Sequence, residues 1–139
     1  MKHIITAIIL IISIPVQAAE TMPGPYEATP YSVYDGDTFR AHVRIWLGQT
    51  VSTPIRIDGI DTPEKRGKCE YEKALALEAK AALEELLKGD VKLTNIRYGK
   101  WAGRVLAHVT VNGVDIAGVL ISKGLARPYD GGKRSGWCD

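Results

Sequence analysis

The chain has 139 residues and 45% hydrophobic residues, enough for one domain and too few for two ordinary ones. Its formal charge is only +2. That excludes a global electrostatic field as the basis of polyanion binding and leaves any such role to a local cluster.

The first eighteen residues read as an export signal. Met1-Lys2-His3 gives a charged start, Ile4 to Ile14 a mostly apolar run, and Val16 and Ala18 the small residues a signal peptidase reads. Cleavage is expected after Ala18, which removes Lys2 and lowers the formal charge by one. The apolar run is shorter than the ~20 residues a bilayer core requires, so retention as an anchor is the weaker reading. The expected organisation is a signal peptide over 1–18 and one domain over 19–139, in a periplasmic or secreted protein.

Residues 19–30 hold Pro23, Gly24, Pro25 and Pro30 and read as an irregular lead-in. From Phe39 the pattern alternates. Phe39, Ala41, Val43, Ile45 and Leu47 fall on one face and Arg40, His42, Arg44 and Trp46 on the other, which predicts a half-buried strand between Asp35-Gly36 and Gly48-Gln49 turns. Pro54 to Asp58 reads as a further short strand. Over 70–88 the period changes: Leu75, Ala79, Ala82 and Leu86 mark one face of an amphipathic helix, with Gly89 expected as its left-handed closing residue. Val91–Ile96 and Val105–Val111 are two more predicted strands, the second closed by Asn112-Gly113. A second helix is predicted from about Asp115 to Lys123, closed by Gly124, and the Gly-rich tail from Pro128 reads as irregular. These elements permit an α+β fold built as a five-stranded oligonucleotide-binding-type β-barrel capped by two or three helices. They do not single it out.

Two cysteines, Cys69 and Cys138, in an exported chain favour one disulfide. A zinc site is the rival, and a pair of isolated cysteines lacks the remaining ligands it needs. His42 and His108 sit on alternating strands without a cysteine or serine partner in any recognisable motif, so neither is a candidate catalyst.

Three clusters carry the chemistry: Asp35-Gly36-Asp37-Thr38; Arg56 with Asp61-Thr62-Pro63-Glu64; and Gly103-Arg104. Hard oxygens hold Ca²⁺ or Mg²⁺. Guanidinium groups grip phosphate in a forked geometry that lysine cannot copy, and a spare carboxylate can deprotonate water. Each cluster alone is more often a turn, a helix start or a solvated charge. Together they form a kit for phosphate-ester hydrolysis.

In this order, with Val105-Leu106-Ala107 and Lys123-Gly124-Leu125-Ala126 following, the motifs resemble the staphylococcal nuclease family over roughly residues 30–127. The resemblance implies a Ca²⁺-dependent nuclease that cuts single-stranded or frayed DNA and RNA and leaves 3′-phosphates. By motif position it makes Asp37 and Asp61 carboxylate ligands of calcium, with Thr62 adding its backbone carbonyl. It makes Glu64 the general base, and Arg56 and Arg104 the binders of the phosphate and its transition state. The family often has a nucleotide-contacting aromatic where Ala102 stands here; Trp101 and Tyr129 are the substitutes expected to bind substrate, and covering a core edge is the rival role for Trp101. Cys69 and Cys138 are foreign to the family's type member, and a bridge between them would anchor the tail. A monomer with no membrane partner after signal cleavage is expected.

Two other classes remain. A catalytically inactive barrel could bind single-stranded nucleic acid by charge and stacking, but it would have no need of the whole acidic and arginine set. An exported structural domain that holds calcium would leave Arg56, Arg104 and Glu64 without a task.

Overall fold

In the computed structural model, which describes residues 19–138, the chain runs β1 (Thr21–Met22), β2 (Tyr26–Val33), β3 (Thr38–Trp46), β4 (Gln49–Ile57), β5 (Ile60–Asp61), α1 (Glu70–Leu86), β6 (Val91–Tyr98), β7 (Val105–Val111), β8 (Val114–Asp115), α2 (Ile116–Ser122) and β9 (Arg127–Pro128). The expected export signal lies outside the described residues. Strand β3 pairs antiparallel with β2 and β4, and β6 pairs antiparallel with β2 and β7. The parallel pairing of β4 with β7 closes the ring. The result is the five-stranded α+β barrel of oligonucleotide-binding type, with two helices among the described residues. Closure removes the open strand edges that a sheet of this size would otherwise present.

Period-two alternation sends Phe39 and Ala41 inward from β3, Ile55 and Ile57 from β4, Leu93 from β6 and Val109 from β7, all fully buried. Leu83 of α1 and Ile116 and Leu120 of α2 complete the core. Helix α2 ends as its sequence indicates. Gly124 takes φ +70, its N–H donates to Ile121 O at 2.9 Å, and Leu125 N–H donates to Leu120 O at 3.0 Å, the paired bonds of a glycine-closed helix end. Among the described residues no helix is long and apolar enough to cross a membrane.

The structure corrects the sequence reading in four places. Residues 26–33 form a barrel strand, not an irregular lead-in; Pro30 is accommodated because the β2–β3 register shifts between Pro30 and Ser32, and at such a bulge a missing N–H costs little. Ile45 and Leu47 do not join the core face, since the β3–β4 hairpin outruns the barrel wall and leaves Leu47 86% exposed. Strand β4 accordingly begins at Gln49, well before Pro54. Helix α1 stops at Leu86 with Leu87 as its cap, so Gly89 is not its closing residue; a Cβ there would meet Val111 and Asn112 side-chain atoms at 2.8 Å.

The tail is fixed at both ends. Strand β9 pairs with β5, and the sulfurs of Cys69 and Cys138 are joined, with their Cα atoms 5.9 Å apart. Cys69 also caps α1, its sulfur 3.5 Å from Glu72 N. Trp137 is buried beneath the Arg127 guanidinium, 3.8 Å from the ring centre. A bridge spanning 69 residues restricts the unfolded chain, so a Cys69→Ser/Cys138→Ser double variant should lose roughly 4 kcal/mol of stability in urea titration. Intact mass after alkylation checks the bridge itself: no label should be taken up before reduction and two labels after it, and two labels without reduction would refute the pairing in solution.

Candidate active site

The turn from β2 to β3 carries the first cluster. A Cβ on Gly36 would lie 2.7 Å from Ala79 Cβ and 3.1 Å from Thr62 Cβ, so only glycine lets this turn press against α1 and the segment after β5. Beside it Asp37 and Asp61 are 5% and 4% exposed. The β3–β4 register sets Thr38 opposite Arg56, which delivers a guanidinium to the buried acids. Arg56 Nη2 lies 3.0 Å from Asp37 Oδ2 and 4.0 Å from Asp61 Oδ1, and donates to Ile60 O at 3.0 Å. Thr38 Oγ1 donates to Asp37 Oδ1 at 2.8 Å.

Thr62 and Pro63 are buried, whereas Glu64 emerges at the surface. The 64–68 loop hangs on Glu72, a buried carboxylate in the first turn of α1 that accepts from Glu64 N at 3.2 Å and Lys68 N at 3.1 Å. Sequence reasoning did not single out Glu72; its only signal was an acid near a helix start. Its carboxylate also falls within 4.8 Å of the Cys69 and Cys138 sulfurs, but a disulfide occupies both sulfurs and leaves no thiolate pair for a metal.

A second omission is larger. Arg134, in the tail, donates from Nε to Asp61 Oδ1 at 2.7 Å, pairs through Nη2 with the same carboxylate, and pairs through Nη1 with Glu64 Oε1. Nη2 also lies 3.4 Å from Thr62 O. The Gly-rich tail gave no hint of this, because the contact spans more than seventy residues.

Asp37, Arg56, Thr62, Glu64 and Arg134 line one open cleft of about 1000 Å³, with Asp61 held just behind it by Arg56 and Arg134. Acids form its floor. Lys65, Arg66, Arg97, Lys100 and Arg104 stand around it, with Arg97 held by Asp58 at 2.8 Å. This is the local positive cluster that the small net charge required. Arg104 follows Gly103 into β7 and, among the described residues, is engaged in no ion pair. Trp101 lines the cleft at 64% exposure, so it does not cover a core edge. Tyr129 also lines it, 5.7 Å from the Arg56 guanidinium, with its hydroxyl donating to Gly132 O at 2.8 Å. Tyr34, not anticipated, adds a third aromatic with Lys65 Nζ 3.7 Å from its ring centre. His42 stacks on Tyr31 at 4.8 Å and His108 faces Asp115 at 3.8 Å, both away from the cleft.

Burial pushes the Asp37 carboxyl up to about 6, with Asp35 adding to the rise and Arg56 opposing it. For Arg134, burial works against the charge, but hydrogen bonds to Asp61 and Glu64 outweigh it and raise the pKa above the ordinary arginine value. The first fact reflects the burial of Asp37, and the second shows Asp61 and Glu64 holding a cation between them. The carboxylates of Asp37 and Asp61 and the Thr62 carbonyl are hard oxygens, and a guanidinium already stands among two of these three groups as a substitute cation. The set fits Ca²⁺.

Fold and cleft together define a class: a closed oligonucleotide-binding-type barrel with an acid-floored, cation-rimmed site on its side. Residues 54–135 match the family described as staphylococcal nuclease homologue, and the chain belongs to the staphylococcal nuclease family. The match takes in Arg56, Asp61 to Glu64 and Arg104; Asp37 lies before it and reaches them through the Thr38–Arg56 register. Among curated proteins no relative matches.

The raised Asp37 pKa fixes a sign. The folded protein holds this proton more tightly than the unfolded chain, so the stability contributed by the group is full below about pH 4 and is lost as pH rises through about 6. In chelator, Asp37→Asn should therefore be more stable than wild type by about 3 kcal/mol at neutral pH, with the gap closing near pH 4. Urea unfolding across that range measures it, and an Asn variant less stable than wild type at neutral pH would contradict the assignment.

Proposed function

We propose that the protein is exported and hydrolyses phosphodiester bonds of DNA and RNA in a calcium-dependent reaction, breaking the 5′-oxygen–phosphorus bond and leaving 3′-phosphates. The observation that carries the reading is the convergence of two buried carboxylates, a carbonyl, an exposed carboxylate and two arginines on one cleft in a nuclease-family barrel.

Asp37, Asp61 and the Thr62 carbonyl would hold the ion. When bound, calcium supplies the positive charge that offsets the growing negative charge on the phosphate oxygens. Glu64, solvent-exposed on a loop braced by Glu72, accepts the proton of the attacking water. Arg56 uses one amine on Asp37 and Ile60 and keeps the rest of its fork for phosphate. Arg104, with no carboxylate partner among the described residues, follows two phosphate oxygens as the phosphorus centre becomes trigonal bipyramidal. Trp101 and Tyr129 offer faces on which bases of a single-stranded or frayed substrate can stack. The protein acts as a monomer with no membrane partner.

One observation favours a second reading, an inactive nucleic-acid-binding barrel: Arg134 already satisfies Asp61 and Glu64 without a metal. Kinetics separate the two. On a single-stranded oligonucleotide at saturating calcium, Arg104→Lys should lower kcat about 10²-fold with KM little changed. Glu64→Gln should slow hydrolysis while sparing nucleotide affinity, and chelator should abolish turnover. If circular dichroism finds both variants folded and both cut at the wild-type rate, the binding reading replaces this one. Calcium affinity without nucleotide should fall at roughly 10⁻⁴–10⁻³ M, as in weak extracellular sites.

Export is tested separately. Protein recovered from the periplasm or medium should begin at Ala19 by intact mass, and a chain that retains residues 1–18 would argue against signal cleavage.

A further inference from the structure

We propose that Arg134 is a built-in competitor for the metal site: its guanidinium and a divalent cation exclude each other, and the bridged tail sets how tightly the protein binds the ion. The proposal rests on the calcium reading above and extends it to a residue outside the nuclease motifs.

The geometry of the tail leads to it. Strand β9 is pinned to β5, where Arg127 pairs with Asp61 itself. Ten residues later Trp137 is buried and Cys138 is joined to Cys69 at the start of α1. The intervening segment is thus a strap held at both ends beside the cleft, and Arg134 is the side chain it turns onto the floor. The strap is shaped internally by Gly132 N–H donating to Asp130 Oδ1 at 3.0 Å and by Tyr129 donating to Gly132 O.

The contacts make the competition direct. Asp61 Oδ1 receives two arms of the guanidinium, Nε and Nη2, and Thr62 O lies next to Nη2. Asp61 and Thr62 are two of the three groups expected to ligate calcium. A unit positive charge bonded to the same oxygen as a divalent ion would be strongly repelled at that distance. Arg134 must therefore leave when the ion binds. It has somewhere to go, since its side chain is 42% exposed and the strap contains Gly131, Gly132 and Gly136. Tethering keeps the guanidinium at a high effective concentration, so it returns whenever the ion departs. A site occupied in this way nine-tenths of the time binds its ligand roughly tenfold more weakly than the open site does.

The test is calcium titration calorimetry on nucleotide-free mature protein, comparing wild type, Arg134→Gln, Arg134→Lys and wild type reduced and alkylated at Cys69 and Cys138. Arg134→Gln should bind calcium roughly tenfold more tightly than wild type. Arg134→Lys, which keeps the charge without the fork, should fall between them, and it guards against a glutamine variant that folds poorly. Reduced protein should shift towards Arg134→Gln, because one end of the strap has been released. A second readout needs no turnover: in chelator wild type should melt above Arg134→Gln, and rising calcium should close that gap. Equal or weaker calcium binding by both variants overturns the proposal while leaving the calcium reading intact. Absence of calcium binding in wild type and both variants overturns the calcium reading and the competition with it.

Discussion

The ion pair between Arg56 and Asp37, 3.0 Å long and almost closed to solvent, is the interaction on which the site depends. Two carboxylates buried side by side repel each other and lose hydration, and neither cost is tolerable without a cation and hydrogen bonds close by. Arg56 supplies the cation because Thr38 and Arg56 face each other across β3 and β4. Slipping that register by one residue would send Arg56 to the other face of the sheet and leave Asp37 and Asp61 unpaired. The barrel fixes the register from both sides, since β4 is also hydrogen-bonded to β7 at Arg56 and its neighbours. One arginine, however, does not balance the floor. Burial raises the Asp37 pKa despite Arg56, and Asp61 and Glu64 draw in a second guanidinium, that of Arg134.

Under the proposed function, the arrangement of charges around the cleft, more than their sum, is what would let a protein with a small net charge address a polyanion. The acids are sunk in the floor, and the cations stand where a strand of nucleic acid would approach. A phosphate entering the cleft would come within reach of Lys65, Arg66, Lys100 and Arg104, which line it. Screening over about 8–10 Å at physiological salt limits the field of such a rim to its own neighbourhood, so binding depends on fit within the cleft and little on long-range steering. In the same reading, the exposed rings of Trp101 and Tyr34 would extend the contact to bases, which a charge cluster alone cannot engage.

What was legible in the sequence was whatever local periodicity or a short motif could encode. Strand β7 was bounded correctly because alternation and an Asn112-Gly113 turn coincide there, and α2 because Gly124 marks its end. Strand β2 was hidden by Pro30 and by the prolines just before the strand; the cost of Pro30 is met by a bulge that only the paired strand reveals. Ile45 and Leu47 misled because alternation reports a strand's two faces and cannot tell where the barrel beneath one face stops. Around the cleft, the acids and arginines of the motifs were visible as chemistry before any geometry. Glu72 and Arg134 were not, because each acts across a fold-dependent distance. Glu72 sits in a helix start that any acid would suit, and Arg134 lies in a tail whose position is set by a disulfide and a two-residue ribbon.

Under the proposed function, these features combine into a dependence on compartment. The calcium set is poor in charge: one of its carboxylates is shared with Arg56, and the other is contested by Arg134. Such a site fills only at the roughly 10⁻⁴–10⁻³ M affinities typical of extracellular modules, far weaker than the 10⁻⁷–10⁻⁵ M of cytosolic sensors. An enzyme that degrades nucleic acid is a hazard to the cell that makes it, and a weak metal site is one physical safeguard. Strengthening it by removing Arg134 would trade that safeguard for activity at lower calcium. Before the bridge forms, the weakness of the site rests on its charge-poor ligand set; oxidation then closes the strap and adds the Arg134 competitor in the compartment where calcium is abundant enough to displace it.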